Sequence, residues 1–579
     1  MAVGKKGTII GGSVILLIAV VATVVVVVTH NGFASKSAAP GGRNGDTLQS
    51  TSRSVQAICE PTDYREICES ALSKVANDST DLRQLIKLSF KVATDHLRQA
   101  FQQSKLLSTA ARDPRTKDAL KTCRELMEYA IEDIKTTFNK FDSFNTSNPA
   151  KAVDELKLWL DSAATYQETC LDGFENTTGD TAAGMRKALN YSMALTDNAL
   201  AIVGQLAEFV DDLRLPDVFS RRLLSEEEVK ENEFPGWVSA DRRRLLSIPP
   251  SGIKPDVVVA LDGSGDFSSI NSALGVAPIK SQKPFVIYVK NGVYKEKVTV
   301  YRNRTNIVVV GDGATQTVVT GSLNFIDGVG TFKTASFVVM GEGFMARDIG
   351  FQNTAGPAKH QAVALLVQAD RSVFYRCRMD AYQDTLYVHT LRQFYRECTI
   401  SGTIDFIFGD AKAIFQNCQI LVRKPLDNQQ NIVTAQGRKS RQSATAIILH
   451  NCTITADPSF PPALLLHSKN PTYLGRPWKA FSRTFVIQSF IDTLVNPNGW
   501  LPWLGDFGLR TCFYTEVENR GPGADKSRRV KWKGVKNISY AHAQKFTVEY
   551  FLWGNDWLPL TQVPYIPALL PQSEPGRIR

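Results

Sequence analysis

Two aspartates occupy matching places in a repeated sequence pattern, and they are the strongest candidates for chemistry. Asp384 follows Cys377 by seven residues, and Asp405 follows Cys398 by seven residues. If each repeat forms one turn of a stacked β-structure, the two side chains lie on adjacent turns, about 4.8 Å apart. Two carboxyl groups at that spacing do not ionise easily together, so one of them keeps its proton near neutral pH. The pair therefore predicts an ionised nucleophile beside a protonated acid.

The repeat that positions these aspartates has a period of about twenty residues. It is visible at residues 375–379, 396–400, 416–420 and 450–454, each with a central cysteine, and at residues 346–350 without one. The cysteines are 21, 20 and 34 residues apart, so one repeat carries a long insertion. Periods of this size indicate a solenoid, and short β-branched strands without intervening helices predict a β-helix rather than a leucine-rich repeat.

Residues 55–210 have helical periodicity instead. Apolar residues recur at steps of three and four in four segments, which begin near Leu82, Leu120, Val153 and Met185. This pattern predicts amphipathic helices. Four long amphipathic segments with short connections predict a helical bundle.

The nine cysteines include no Cys-x-x-Cys pair, which argues against zinc and thioredoxin-like sites. Three pairs are expected to form disulfides: Cys59–Cys68, Cys123–Cys170 and Cys398–Cys418. The first pair is close enough in sequence to close a hairpin, and the second lies on apolar faces of successive helices. Isolated buried thiols are the alternative for these four cysteines. The third pair lies on adjacent repeats, although the sequence leaves the pairing in this part of the chain open.

The N-terminus predicts export. Lys5 and Lys6 precede an uncharged run at residues 7–29, and about 20 apolar residues suffice to span a bilayer. Residues 1–30 are expected to form a signal anchor that spans the membrane at about 8–28, with a cleaved signal peptide as the alternative. In both cases the rest of the chain enters the secretory pathway. Seven Asn-x-Ser/Thr sequons are then candidates for glycosylation: Asn77, Asn145, Asn176, Asn190, Asn303, Asn451 and Asn537.

Two segments are expected to connect these parts. Residues 31–54 are rich in Gly, Ser, Ala and Thr and predict a flexible stalk. Residues 211–246 are charged and contain the tetrapeptide Arg-Arg-Leu-Leu twice. A solvated charge run is one interpretation, but dibasic sites in an exposed linker are natural protease targets, and the duplication favours processing. The predicted processing residues are Arg221, Arg222, Leu223, Leu224, Arg243, Arg244, Leu245 and Leu246.

Charge is distributed unevenly along the chain. Residues 247–579 carry 37 Lys and Arg against 24 Asp and Glu, a charge of +13, and residues 1–246 carry 30 against 33, a charge of −3. A basic C-terminal part suits an acidic partner such as nucleic acid or an anionic polysaccharide. No nucleic-acid-binding module is recognisable, and an exported chain rarely meets nucleic acid, so the polysaccharide is favoured.

Five segments resemble, in the right order, the signature set of the plant pectin methylesterases: GVYKE (292–296), QAVAL (361–365), QDTL (383–386), DFIFG (405–409) and LGRPW (474–478). The similarity extends over about residues 255–567. Residues 55–210 resemble the pectin methylesterase inhibitor family. Together these resemblances imply a multidomain chain: an all-α four-helix bundle that serves as a pro-region, and an all-β, right-handed parallel β-helix at residues 247–579 that is the catalytic domain.

The resemblance also implies roles for individual residues. Asp405 is the implied nucleophile on the methyl-ester carbonyl of galacturonate, Asp384 the implied proton donor and later base, and Gln383 the implied stabiliser of the oxyanion. The implied substrate-binding residues are Thr331, Gln361, Arg476 and Trp478. No cofactor and no metal are implied. The implied partners are methyl-esterified homogalacturonan, a processing protease and separate inhibitor proteins; the membrane is contacted only through the N-terminal segment, and the bundle inhibits the enzyme until it is removed. The released enzyme is expected in the cell wall.

Two other functions fit parts of the sequence. Paired carboxylates also suit a β-helix polysaccharide hydrolase of the retaining glycosidase type. Gln383 favours the esterase, because a glycosidase needs no oxyanion amide. A non-catalytic wall-binding or inhibitory protein would use the bundle alone. A serine hydrolase is not indicated, because no G-x-S-x-G motif is present, and His389 is expected to be a hydrogen-bonded structural residue.

Overall fold

The computed structural model describes residues 43–77, 81–143, 148–212, 254–460 and 470–571. Within these ranges the chain is helical up to residue 212 and consists mainly of parallel strands from residue 257 onward. The described residues from 54 onward belong to one compact unit, which contains both the bundle and the strands.

Several predicted features lie outside the described residues, namely the membrane span at about 8–28 and the eight processing residues at 221–224 and 243–246. No helix within the described ranges combines the length and the apolar composition that a bilayer span requires. The flexible stalk predicted at residues 31–54 is wrong for its second half, because helix α1 (Arg43–Cys59) begins there. This helix carries Val55 and Ile58 into the bundle core, and that burial stabilises it beyond its polar composition.

Four long helices form the bundle that the apolar periodicity predicts. They are α3 (Leu82–Ala110), α4 (Pro114–Asp142), α5 (Pro149–Asp172) and α6 (Thr181–Asp212), preceded by the short helix α2 (Arg65–Ser73). Their apolar stripes meet in one buried core. The disulfides Cys59–Cys68 and Cys123–Cys170 are present, with Cα atoms 5.7 and 4.4 Å apart. They join α1 to α2 and α4 to α5.

The sequence also sets where the helices begin. In α4 the carboxylate of Asp113 accepts a hydrogen bond from the amide of Thr116 at 2.9 Å, and Pro114 occupies the first turn. In α5 the side chain of Asn148 accepts one from the amide of Lys151 at 3.2 Å, and Pro149 follows it. An Asp or Asn cap followed by proline satisfies a free amide and supplies helical φ, so both starts are local.

The strands form three parallel sheets that wind into a right-handed β-helix. Sheet A contains β1 (Val257–Val259), β2 (Phe285–Val289), β5 (Ile307–Gly311), β8 (Met345–Arg347), β11 (Ser372–Tyr375), β14 (Arg392–Arg396), β17 (Lys412–Gln416), β20 (Ala446–His450), β23 (Arg483–Ile487) and β25 (Phe513–Val517). Sheet B contains β3 (Gly292–Tyr294), β6 (Thr317–Gly321), β9 (Gly350–Asn353), β12 (Arg378–Asp380), β15 (Thr399–Gly402), β18 (Gln419–Val422), β21 (Thr453–Ala456) and β24 (Phe490–Ile491). Sheet C contains β4 (Val298–Val300), β7 (Phe337–Val339), β10 (Leu365–Val367), β13 (Leu386–Val388), β16 (Ile407–Gly409), β19 (Asn431–Gln436) and β22 (Thr472–Gly475). Short helices add to its ends: α7 (Ile270–Val276), α8 (Tyr540–Ala543) and α9 (Val548–Phe551).

The sequence repeat corresponds to the turn between sheets A and B. Arg376, Glu397, Asn417 and Asn451 have φ values of 50, 54, 56 and 52°, and each directly precedes a repeat cysteine. One residue in the left-handed region lets the chain turn sharply between two strands. The period of about twenty residues is therefore the length of one rung, and the prediction of a solenoid is confirmed.

Equivalent residues stack inside the β-helix. The rings of Phe374, Tyr395 and Phe415 lie face to face on three successive rungs, with centroids 4.9 and 4.4 Å apart. Each such aromatic contact contributes about 0.5–1.5 kcal/mol beyond the burial of its area. The stacked interior forms one continuous core made of β-helix residues alone.

The predicted Cys398–Cys418 disulfide is wrong, because both thiols are free and buried. They belong to in-register rungs, where Thr399 pairs with Gln419, and side chains on such rungs stay about 4.8 Å apart. A disulfide needs Cβ atoms about 3.5–4.5 Å apart, so the parallel stacking opposes the bond. Instead the Cys398 thiol donates to the carbonyl of Phe374 at 3.3 Å.

We predict that the denatured, unreduced protein reacts with five equivalents of a thiol reagent. All nine cysteines lie among the described residues, and five of them are free. Labelling followed by mass spectrometry counts the thiols, and the reduced sample, with nine labels, is the control. The native protein should label slowly because the five thiols are buried. A count of three in denaturant would mean that a further pair forms.

Candidate active site

Strand pairing brings Asp384 and Asp405 onto adjacent rungs at the same position. Leu386 pairs with Ile407 in the parallel register of β13 and β16, and each aspartate lies two residues before its member of that pair. Both aspartates have left-handed backbone conformations, with φ values of 63 and 50°. Aspartate tolerates this conformation better than most residues, which permits a tight entry into each strand. The predicted adjacency of the two carboxyl groups follows from this register.

Arg476 binds Asp405 through two hydrogen bonds. It directly follows β22, and its Nε and Nη2 atoms donate to the two carboxylate oxygens of Asp405 at 2.8 and 2.5 Å. The guanidinium carbon also lies 4.3 Å from the ring centroid of Trp503. A bidentate guanidinium favours the ionised carboxylate and restricts its orientation.

Burial and neighbouring charges shift the pKa values of the two acids differently. Desolvation raises the pKa of Asp384 well above its ordinary value, and the neighbouring Asp405 carboxylate raises it further. Desolvation also raises the pKa of Asp405, but the charge and hydrogen bonds of Arg476 oppose that rise. The two environments therefore favour the protonated form at Asp384 and the ionised form at Asp405.

The other predicted site residues share one cavity with these acids. The cavity has a volume of about 800 Å³. Its lining includes Thr331, Gln361, Gln383, Arg476 and Trp478 together with both aspartates. Gln361 and Gln383 lie opposite each other on successive rungs. Side-chain amides beside a carboxylate nucleophile can stabilise an oxyanion.

Tyr387, Phe408 and Trp503, which the sequence did not indicate as site residues, form an aromatic wall of the same cavity. Tyr387 stacks on Phe408 with ring centroids 4.1 Å apart, and Trp478 meets Phe408 edge to face at 5.9 Å. Each of the first two lies three residues after a catalytic candidate, so the repeat contained a signal for them. Trp503 comes from an irregular loop after β24, where no periodicity could indicate it.

The helical bundle closes the other side of this cavity. Thr169 and Asp172 of α5, with Phe174 and Glu175 just after it, also line the cavity. Helix α5 therefore has two packed faces, one with the apolar stripe and one with acidic and hydroxyl side chains. On the second face, Asp161 accepts a hydrogen bond from the amide of Ala444 at 2.9 Å. The acids at positions 154, 161, 168 and 172 recur at steps of about one or two turns, a signal for this face that the sequence contained.

Opposite charges meet across this contact. Ion pairs between bundle and β-helix include Asp154–Lys412 at 2.7 Å, Asp172–Lys479 at 2.7 Å, Asp133–Arg302 at 2.6 Å, Glu125–Lys333 and Glu168–Lys439. In each pair the acid belongs to the bundle and the base to the β-helix. The opposite net charges of the two halves of the sequence thus have a structural counterpart in paired side chains.

His389 lies under α5 and is completely buried. Its Nε2 atom is 2.8 Å from the hydroxyl of Thr169, and its Nδ1 atom is 3.1 Å from the side-chain oxygen of Gln368. Burial lowers the pKa of His389 to about 3, and Arg302 contributes in the same direction. The histidine is hydrogen-bonded, as the sequence predicted, but one of its partners comes from the bundle.

The predicted glycosylation sites differ in exposure. Asn77, Asn176, Asn190, Asn303 and Asn537 are exposed. Asn451 is half-buried, and its side-chain oxygen accepts a hydrogen bond from Arg520 at 3.1 Å. Asn145 lies outside the described residues.

Known proteins share both parts of the chain. The pectinesterase family model matches residues 256–555, and the plant invertase/pectin methylesterase inhibitor model matches residues 53–202. The Arabidopsis thaliana pectinesterase/pectinesterase inhibitor 28 is 46% identical over 526 residues, which cover 91% of this chain and 71% of that protein. Pectinesterase/pectinesterase inhibitor 21 of the same plant is 45% identical over 520 residues, with 90% and 76% covered. The solved structure of pectin methylesterase from carrot is 49% identical, with a TM-score of 0.54, and covers 55% of this chain and 99% of that one.

We predict that Arg476→Gln lowers the rate of ester hydrolysis about 100-fold near neutral pH and moves the acid limb of the pH–rate profile upward by about 1–2 pH units. Arg476 holds the pKa of Asp405 down, so its loss raises that pKa and protonates the nucleophile at higher pH. The measurement is the initial rate between pH 4 and 9.

Arg376→Gln is the matched control. Arg376 also makes two hydrogen bonds to one aspartate, Asp348, at 2.8 and 2.7 Å, but on the turn between sheets A and B. Its loss should leave the pH–rate profile unchanged. An acid limb that stays in place in Arg476→Gln would show that Arg476 does not set the ionisation of Asp405.

Proposed function

The chain belongs to the pectinesterase family, with an inhibitor-family domain before the enzyme domain, and from this we propose that it de-esterifies methylated homogalacturonan by a two-aspartate covalent mechanism. It is a pectinesterase, a hydrolase of carboxylic esters. Neither a glycosidase nor a purely inhibitory protein fits a chain whose residues 256–555 match the enzyme model. The observation that supports the mechanism most is the asymmetry between the two acids. Asp405 accepts two hydrogen bonds from Arg476, and the neighbouring Asp384 has a raised pKa.

In the first half of the proposed reaction, a carboxylate oxygen of Asp405 attacks the carbonyl carbon of the methyl ester. The carbonyl oxygen takes the negative charge, and the side-chain amides of Gln383 and Gln361 donate hydrogen bonds to it. When the intermediate collapses, the bond to the methoxy oxygen breaks and Asp384 gives its proton to that oxygen. Methanol leaves, and an anhydride joins Asp405 to the galacturonate.

In the second half, Asp384 is ionised and accepts a proton from water. The resulting hydroxide attacks the galacturonate carbonyl carbon of the anhydride, and the bond to the Asp405 oxygen breaks. Asp405 returns as a carboxylate and Asp384 returns in its protonated form, so the cycle closes without a cofactor. A covalent intermediate divides one difficult displacement into two easier ones. Thr331 and Trp478 are proposed to hold the sugar chain.

We predict that Asp405→Asn abolishes turnover while the fold persists, because an amide of similar shape is a poor nucleophile. Asp384→Asn should also be inactive, because no acid protonates the departing methanol. Methanol release from methylated pectin, with circular dichroism as the check on folding, tests both variants. Methanol release at the parental rate by Asp405→Asn would refute the mechanism. If Asp384→Asn is blocked only in the second half, mass spectrometry should detect the anhydride.

We further propose that the bundle keeps the enzyme inactive. Residues 55–210 are the proposed pro-region, residues 211–246 the processing linker and residues 247–579 the released enzyme. The support is direct contact: α5 lines the cavity that holds both aspartates, and ion pairs surround the contact. A tethered domain acts at an effective concentration of about 1 mM, so an intrinsic Kd near 1 µM would close the site in about 999 of 1,000 molecules.

An active enzyme can be released only if the enzyme domain stays folded without the bundle. Its interior core contains only β-helix residues, and the carrot enzyme aligns over 99% of its length with 55% of this chain. We propose that a protease of the secretory pathway cuts after Leu224 or Leu246, and that the N-terminal segment anchors the precursor until then. The released enzyme then reaches the cell wall, where separate inhibitor proteins of the bundle type are proposed to bind the same face.

We predict that the intact chain releases methanol about 1,000-fold more slowly than residues 247–579, from the tethering estimate above. Both proteins are purified, and intactness is verified by mass spectrometry before and after the assay. Comparable rates from the intact chain would mean that the bundle serves folding or retention rather than inhibition.

The contact between the bundle and the enzyme domain can be weakened by the removal of a single hydroxyl group. Thr169→Val removes the hydroxyl on His389 without a change in shape, and the loss of a buried hydrogen bond costs about 1–2 kcal/mol, so the residual activity of the intact chain should rise about 5- to 30-fold. Thr136→Val makes the same change on α4 and should change nothing, because within the described residues the Thr136 hydroxyl bonds only to the Glu132 carbonyl of its own helix.

A further inference from the structure

A column of polar side chains lies beside the aromatic wall on the outer face of sheet C. Leu366, Tyr387 and Phe408 are in register across β10, β13 and β16. The residues two positions later directly follow these strands, and side-chain contacts join them to one another or to α5. These are Gln368, His389 and Asp410, which we call the polar shelf; one shelf residue lies on each of three successive rungs, about 4.8 Å apart.

Helix α5 packs over the shelf. Thr169 and Thr165, one helical turn apart, place their hydroxyls on it: the first lies 2.8 Å from Nε2 of His389, and the second lies 2.9 Å from Oδ2 of Asp410. These contacts are hydroxyl contacts, whereas ion pairs surround them. The proposed mechanism uses none of the three shelf residues.

The β-helix by itself leaves the hydrogen-bonding capacity of the shelf incomplete. Within the described ranges, His389 has only Gln368 and Thr169 as hydrogen-bond partners. The side-chain nitrogen of Gln368 is buried without any partner in the same ranges. Asp410 already uses Oδ1 for Gln436 and Thr445, and the bundle occupies Oδ2. Once the bundle leaves, the shelf presents unpaired polar atoms on successive rungs beside the cleft.

The side chains in and around the polar shelf indicate the kind of ligand that it binds. The bundle meets it with neutral hydroxyls, and the ring centroids of Tyr387 and Phe332 lie 4.7 and 5.4 Å from that of His389. Hydroxyl groups next to an apolar face are what a sugar ring offers. In its ionised form Asp410 disfavours a free carboxylate in direct contact with the shelf, since like charges repel at short range. We therefore infer that the polar shelf binds the hydroxyl groups of uncharged, methyl-esterified galacturonate units, and that the threonines of α5 occupy their places in the intact chain.

This inference rests on the proposed function, and its test keeps the two apart. Residues 247–579 are assayed for kcat and KM on highly methylated pectin, unsubstituted and as His389→Leu and His389→Gln. His389→Leu should raise KM about 2- to 10-fold, the effect of one neutral hydrogen bond, with kcat unchanged. His389→Gln keeps a polar group near the Nε2 position and should restore most of the KM. His542→Leu, an exposed histidine of α8, is the matched control and should leave both constants unchanged.

Methanol release by the unsubstituted enzyme tests the proposed function by itself. If that enzyme releases no methanol, the proposed function is wrong, regardless of what the polar shelf binds. If the unsubstituted enzyme is active, an unchanged KM in His389→Leu contradicts the proposed role of the polar shelf. A parallel loss of kcat in folded His389→Leu contradicts it as well. Should His389→Leu unfold, a second variant decides. Asp410→Asn removes the repelling charge with little change in shape, and polygalacturonate should then inhibit about 2- to 5-fold more strongly at constant ionic strength. Unchanged inhibition would contradict the selection for uncharged units.

Discussion

The register of parallel rungs is the constraint on which the site depends. Each rung repeats about 4.8 Å from the last, and a residue at one position of the repeat must lie beside its equivalent on the next rung. This places Asp384 next to Asp405, stacks Tyr395 between two phenylalanines, and lines up the thiols of Cys398 and Cys418. The same geometry that holds two carboxyl groups side by side opposes a disulfide between two cysteines, because their side chains stay parallel at the strand spacing.

Stacking alone would give two equivalent acids, and catalysis needs them to differ. The difference comes from Arg476, which is 71 residues away from Asp405 along the chain and reaches it from the end of another sheet C strand. Its guanidinium favours the charged form of one acid, and burial beside that charge favours the neutral form of the other. One long-range ion pair thus makes two equivalent positions differ, so that one carboxyl group favours its ionised form and the other its protonated form.

The bundle uses one helix for two purposes. The apolar stripe of α5, with Leu156 and Leu160, belongs to the bundle core, and its opposite face carries Asp154, Thr165 and Asp172 against the β-helix. Acids on a surface helix usually face solvent. Here they are paired with lysines of the other domain, and the hydroxyls between them lie over His389 and Asp410. The contact therefore covers both the cleft and the polar shelf.

The sequence by itself determined what depends on local periodicity. Steps of three and four residues predict α3 to α6, and a twenty-residue repeat predicts rungs, so the bundle, the β-helix and the pairing of Asp384 with Asp405 all follow from the printed chain. The stalk was misjudged at α1 because burial against other helices outweighs a polar composition. Tertiary structure alone decided the rest. Trp503 on a loop, the free thiols of Cys398 and Cys418, and the two bundle hydroxyls on the shelf depend on which surfaces meet and in what orientation. The two hydroxyls, for example, are 220 and 245 positions away from His389 and Asp410 along the chain, and a local sequence pattern does not report on contacts over such separations.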